Sequence, residues 1–283
     1  MTTLVFGTNG QVATELRLVA PDATFLGRDE ADLSNPEACA AAIDAHHPDL
    51  VINAAAYTAV DRAEEEEGLA HQINGAAPGA MARAAAKHLI PFVHISTDYV
   101  FAGTGTQPWM PNDPVAPQNA YGRSKLAGED AVRAAGGCHA ILRTSWVVSA
   151  HGSNFVKTML RLGAERDALS IVVDQVGGPT PARDIATACL KIGAVLQDTP
   201  GASGTYHFSG APDVTWADFA RAIFDKAALS CTVTDIPSTD FPTPAARPLN
   251  SRLDCTTTET VFDLPRPDWH NGLDQILKTL KEE

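Results

Sequence analysis

Short uninterrupted apolar runs alternate with alanine-rich stretches through the first half of the chain. Residues 4–6, 23–26, 50–53, 92–95 and 140–144 predict strands. They are apolar at successive positions rather than alternate ones, as in a sheet covered on both faces. Residues 11–19, 36–45, 68–88 and 119–135 repeat apolar positions at helical spacing. Ser34 or Asn35 stands before Pro36 as a helix cap would. Strand and helix in turn predict an α/β fold with a doubly wound parallel sheet.

The pattern loosens after Trp146. Residues 171–173 and 206–208 predict strands, and 184–196 and 216–227 predict helices. A turn-rich break at 176–181 and a proline-rich loop at 236–248 interrupt them. The organisation expected is a dinucleotide-binding sheet domain over residues 1–145, with returning segments from 177–210. A smaller C-terminal substrate-binding lobe would hold mainly residues 146–283.

Hydrophobic residues make up 45% of the 283, which excludes a wholly disordered chain. The net charge of −13 argues against nucleic acid or an anionic membrane as partner. No apolar stretch is long enough for a membrane helix, and the first residues carry no secretory pattern. The five cysteines are odd in number and lack CxxC spacing, which fits reduced thiols. A cytoplasmic protein is expected. The nine histidines show no ligand spacing, so no metal is expected.

Gly7-Thr8-Asn9-Gly10-Gln11-Val12-Ala13 joins the first strand to the first helix. Glycines there let the backbone approach a dinucleotide's pyrophosphate, and free N–H groups at the helix start attract its charge. Arg28, after the second strand, suits a 2′-phosphate, so NADPH is expected, with NADH as the alternative. Asp32 and Leu33 come next and would flank the adenine. Tyr121 and Lys125 share a helix face. A phenol of pKa near 10 is a poor acid–base group at neutral pH, and an adjacent ammonium lowers that value. Thr97, after Ser96 at a strand end, offers a hydroxyl to a reacting carbonyl oxygen. Each motif alone is common; the three in this order point to hydride chemistry.

The ordered motifs resemble the extended short-chain dehydrogenase/reductase family. The matching segments are 6–12, 53–61, 96–101, 121–129, 143–147 and 242–251, across nearly the whole chain. The resemblance implies a Rossmann-type fold and a small-molecule nucleotide-sugar substrate. Within the family it implies the branch that reduces the C4 ketone of dTDP-4-dehydro-L-rhamnose to dTDP-L-rhamnose for cell-surface polysaccharide. It implies that Gly10, Gln11 and Val12 line the pyrophosphate, that Asp32 and Leu33 sit by the adenosine, and that Ala56, Tyr57 and Thr58 follow the cofactor. Tyr121 would be the proton donor, assisted by Lys125 and Thr97. Thr97, Asp98 and Trp146 would contact the sugar, and Arg247 the nucleotide diphosphate. A monomer or homodimer is expected.

Ala13 stands where the family has a third glycine, and Gly27-Arg28 lacks the acidic residue of some members. Some members use magnesium at a dimer contact; its ligands have no counterpart identifiable here, and none is expected. A 4-epimerase of the same fold stays open and would consume no net NADPH. A non-catalytic regulatory subunit also stays open and would form a complex without turnover. A 4,6-dehydratase lacks its base, because Tyr99 rather than glutamate follows Asp98. Residues 64–67, four glutamates, are expected as a solvated first helical turn. Trp216 and Phe219 are expected in the core, and Trp109 and Met110 either as a lid or as surface packing.

Overall fold

Six parallel strands form the central sheet of the computed structural model, which describes residues 1–282. They are β1 Thr3–Phe6, β2 Thr24–Leu26, β3 Leu50–Asn53, β4 Phe92–Thr97 and β5 His139–Thr144, with β6 Ala168–Val172 lying elsewhere and β7 Gly204–His207 as the sixth. Their spatial order is β7-β5-β4-β3-β1-β2. The main helices are α1 Gln11–Val19, α2 Pro36–His46, α3 Ala77–Lys87, α4 Ala120–Ala135, α5 Phe155–Glu165, α6 Ala182–Asp198, α7 Trp216–Lys226 and α8 Trp269–Glu282. From β1 the chain turns to one side for β2 and to the other for β3. The space above their carboxyl ends is the switch point at which such Rossmann-type sheets take ligands.

Alternate residues of each strand feed two cores. Val5, Leu50, Ile52 and Val93 pack with Leu16 of α1 and Ile185 and Ile192 of α6. Leu4, Phe6, Val51 and Phe92 pack with Ile43 of α2 and Met81 of α3. Each such buried side chain contributes about 1.5–3 kcal/mol. A one-residue slip would exchange the two cores, so the register is strongly specified.

α5, α7 and α8 enclose a third core around Val156, Phe219, Ile223 and Leu273, beside the parallel pair of β6 and β8 (Thr232–Ile236). Phe219 is thus a core residue, as expected. Three local differences stand out. A π turn, Gln72–Ala76, interrupts the helix expected over 68–88. β6 starts three residues before the strand expected at 171–173. α5 and α8 occupy stretches where the pattern predicts no element; each is amphipathic and buries one stripe on the lobe core. No described helix is long and apolar enough to cross a membrane.

Candidate active site

A cleft of about 1320 Å³ opens over the carboxyl ends of β1, β3, β4 and β5. Gly7, Gly10, Gln11 and Val12 form one wall. Gly7 has φ +118°, and a Cβ there would stand 3.3 Å from the carbonyl carbon of Ala54. Gly10 caps α1 without any side-chain hydrogen bond, and the first turn holds no acidic residue. The helix start is therefore electropositive and open to an anion. The Gln11 side chain donates to the carbonyl of Val147 at 3.3 Å and accepts from Asn154 at 2.9 Å, tying the loop to the lobe.

Arg28, Asp32 and Leu33 lie along the same cleft, Arg28 exposed and Leu33 buried. Two nearby carboxylates are already engaged. Glu30 accepts the N–H of Gly27 at 2.9 Å, and Asp32 accepts that of Ser34 at 2.8 Å. Arg28 is left as the cation facing the position after β2.

Ala56, Tyr57 and Thr58 line the cleft beyond β3. Asn74, inside the π turn, clasps this segment. Its Oδ1 accepts the N–H of Tyr57 at 2.8 Å, and its Nδ2 donates to the Tyr57 carbonyl at 3.0 Å and to Ser124 at 2.9 Å. Sequence reasoning passes over Asn74, whose only signal there is an asparagine in an alanine-rich helical run; the structure buries it, 1% exposed. Gly128 of α4 lets the π turn approach, since a Cβ there would come within 2.0 Å of the Asn74 carbonyl. The glutamates of 64–67 depart from expectation in part. Glu64 accepts the Ala120 N–H at 2.8 Å, Glu66 accepts the Tyr57 hydroxyl at 2.7 Å, and Glu67 pairs with Arg123 at 2.7 Å. Glu64 and Glu67 thus brace the start of α4 and Glu66 holds Tyr57, while Glu65 is exposed as expected.

Thr97, Asp98, Tyr121 and Lys125 meet at the floor. Asn119 caps α4, accepting the N–H of Gly122 at 2.8 Å. A buried ion pair anchors the helix to the sheet: Glu129 takes Arg143 at 2.6 and 2.8 Å and the Ser96 hydroxyl at 2.7 Å. Burial pushes the Tyr121 phenol up to about 12, against a contact with the Thr97 hydroxyl that lowers it. Burial also pulls Lys125 down to about 8, with Glu129 opposing. Lys125 Nζ donates to the Ile95 carbonyl at 2.7 Å. Asp98, pushed up to about 6 by burial, accepts from Ser251 at 2.5 Å and from Thr97 at 3.1 Å.

Trp146 lines the opposite wall with φ +48°, a left-handed conformation that a bulky residue adopts only when its surroundings impose it. Trp216 stacks on its ring at 3.6 Å and 12°. Trp216, half-buried, packs against the lobe core with Phe155 and Phe219 as expected, and its other contact backs Trp146. Arg247 is not among the residues lining the cleft. It pairs with Asp61 at 2.7 Å, so the diphosphate role has no geometric support. Trp109 stacks on Phe101 at 4.8 Å and also lies outside the cleft lining, which decides for surface packing over a lid.

The residues present fit a dinucleotide. The Gly7 approach and the uncapped start of α1 suit a pyrophosphate, and the buried Thr144 hydroxyl lines the cleft with no partner among the described residues. Gly10 to Val12 would hold the pyrophosphate and Arg28 a 2′-phosphate. The described residues contain no group of three or more His, Cys, Asp or Glu side chains placed to hold a metal ion.

The family model described as RmlD substrate binding domain matches residues 1–282. The chain is 42% identical to a dTDP-4-dehydrorhamnose reductase of Salmonella typhimurium, over 98% of this chain and 97% of that protein. It superimposes on a Clostridium acetobutylicum dTDP-4-dehydrorhamnose reductase with a TM-score of 0.92 and 36% identity, covering 99% and 100% of the two chains. A Bacillus anthracis dTDP-4-dehydrorhamnose reductase solved in complex with NADP gives 0.91 and 35%, covering 98% and 99%. From β1 to α8, therefore, this chain belongs to the RmlD substrate binding domain family, alongside the dTDP-4-dehydrorhamnose reductases.

Proposed function

We propose that the protein reduces the C4 ketone of dTDP-4-dehydro-L-rhamnose to dTDP-L-rhamnose, with NADPH as donor and NADH as an alternative. One observation carries the reading: a single cleft holds the glycine loop together with Thr97, Tyr121 and Lys125, in a chain 42% identical to a dTDP-4-dehydrorhamnose reductase. Residues 1–145 with segments from 177–210 would serve the cofactor, and the remaining lobe the sugar. The proposed setting is the cytoplasm, as a monomer or homodimer; five free cysteines support a reducing compartment.

A bound reduced nicotinamide supplies hydride to the ketone carbon. Tyr121, held protonated at neutral pH by its raised pKa, gives the proton to the ketone oxygen. Thr97 donates a hydrogen bond to that oxygen as charge develops. Lys125 as an ammonium stabilises the phenolate that Tyr121 leaves behind. Asp98 from the floor and Trp146 from the wall orient the sugar.

Loss of NADPH absorbance with the ketosugar made in situ tests the reading. Tyr121→Phe should lower kcat by about 10²–10⁴-fold while cofactor binding survives. No turnover by protein that binds NADPH would move the reading to another nucleotide sugar or to a 4-epimerase. No cofactor binding would overturn it.

A further inference from the structure

Behind the cleft floor runs a chain of buried polar groups whose middle members the proposed reaction leaves unused. It begins at Ala55, in the wall of the cleft, and ends at Lys125. Asn53 and His94 lie between, 1% and 0% exposed. Asn53 Oδ1 accepts the backbone N–H of Ala55 at 3.2 Å, so the amide nitrogen is the atom that faces His94 Nδ1, at 3.1 Å. An amide nitrogen only donates. His94 Nδ1 therefore accepts, and the ring proton sits on Nε2. A second ring proton is opposed by burial and by Lys125, which hold His94 well below its ordinary pKa. Nε2 faces Lys125 Nζ at 3.4 Å, while Nζ donates to the Ile95 carbonyl at 2.7 Å. An ammonium in that position would set N–H against N–H. A neutral amine meets the ring N–H with its lone pair.

We infer that His94 is a positioning residue for Lys125: its Nε2–H faces Nζ, disfavours the ammonium and lets the lysine give up its proton at a lower pH while the cleft is empty, with Nζ turned towards the Ile95 carbonyl. Of the other titratable groups around Lys125, Tyr121 and Glu129 are on its own helix, and Asp98, after β4, shares the cleft floor. Tyr121 is neutral, and Glu129, which favours the ammonium, is engaged by Arg143 and Ser96. His94 thus favours the amine of Lys125, whereas a Tyr121 phenolate would favour its ammonium. Lys125 is thereby poised to take up charge as Tyr121 gives its proton to the ketone. This purpose rests on the ketoreductase reading; the geometry does not.

The test uses cofactor-free protein, so an error in the substrate assignment leaves it unaffected. Nitrogen-15 NMR of the histidine rings should show His94 protonated at Nε2 and bare at Nδ1; the opposite tautomer overturns the proposal. The Lys125 side-chain signal, identified by its loss in Lys125→Met, is then titrated in wild type, His94→Phe and His94→Gln. The midpoint should rise by about one pH unit in His94→Phe, which has no donor, and stay near wild type in His94→Gln, which keeps one. An unmoved midpoint in His94→Phe reduces His94 to packing. If that variant does not fold, the wild-type tautomer decides.

Discussion

The carboxylate of Asp98 accepts a 2.5 Å hydrogen bond from the hydroxyl of Ser251, 153 residues further along the chain. Asp98 follows the last residue of β4, beside Thr97. Ser251 belongs to the strand Asn250–Ser251, which pairs with Val176–Gly177. The bond joins the end of a central strand to the C-terminal half of the chain.

Burial outweighs that bond and raises Asp98 from 3.8 to about 6. Below about pH 4 the carboxyl is protonated in the folded and unfolded chains alike. Between about pH 4 and 6 the unfolded chain ionises while the folded one stays protonated, so stability falls over that window by on the order of 3 kcal/mol and levels off above it. Asp98→Asn is therefore expected to be more stable than wild type at pH 7.5, by up to about 3 kcal/mol, and no more stable at pH 4. Urea unfolding at both pH values checks this; an equal gain at each would remove charge as the cause.

Glu129 is 0% exposed, and Arg143 supplies its countercharge. Arg143→Met leaves that carboxylate with only the longer, half-exposed Arg133 pair at 3.3 Å and should cost about 3 kcal/mol. Adding Glu129→Gln should restore part of the loss. Thermal unfolding measures both, and an unchanged Tm in the single variant would refute the anchoring role.

Arg28 is the cation at the expected 2′-phosphate position. Arg28→Ala should cut the preference for NADPH over NADH about tenfold, the equivalent of one ionic hydrogen bond. The KM for NADH should hold. A constant ratio of kcat/KM between the two cofactors would assign Arg28 to the surface.

Trp216 supports Trp146 from behind. Such a stack is worth about 0.5–1.5 kcal/mol beyond area. Trp216→Ala should raise KM for the sugar about 3- to 10-fold and leave KM for NADPH alone. Steady-state kinetics varying each substrate separates the two, and a rise in both would point to general loosening of the lobe.

The glycine loop, the Tyr121–Lys125 face and the Ser96–Thr97 strand end are legible in the sequence because each depends on short spacing. Strand and helix period places them at the carboxyl edge of a parallel sheet with no knowledge of distant contacts. The same local reasoning loses α5 and α8, whose helical stripes become visible only once a lobe core exists to receive them.

By itself, then, the sequence determined the order of the central elements and which residues reach the cleft from them. Only the tertiary structure decided what holds those residues in place. Asn74 on the Tyr57 backbone, Ser251 on Asp98, Trp216 on Trp146 and Glu129 on Arg143 are pairings between elements. It also moved Arg247 out of the cleft lining and put Glu64 and Glu67 to work at the start of α4. The physical reason is range. A helix or strand follows from steric and hydrogen-bond preferences over a few residues, whereas a buried polar group takes whichever partner the fold brings within about 3 Å.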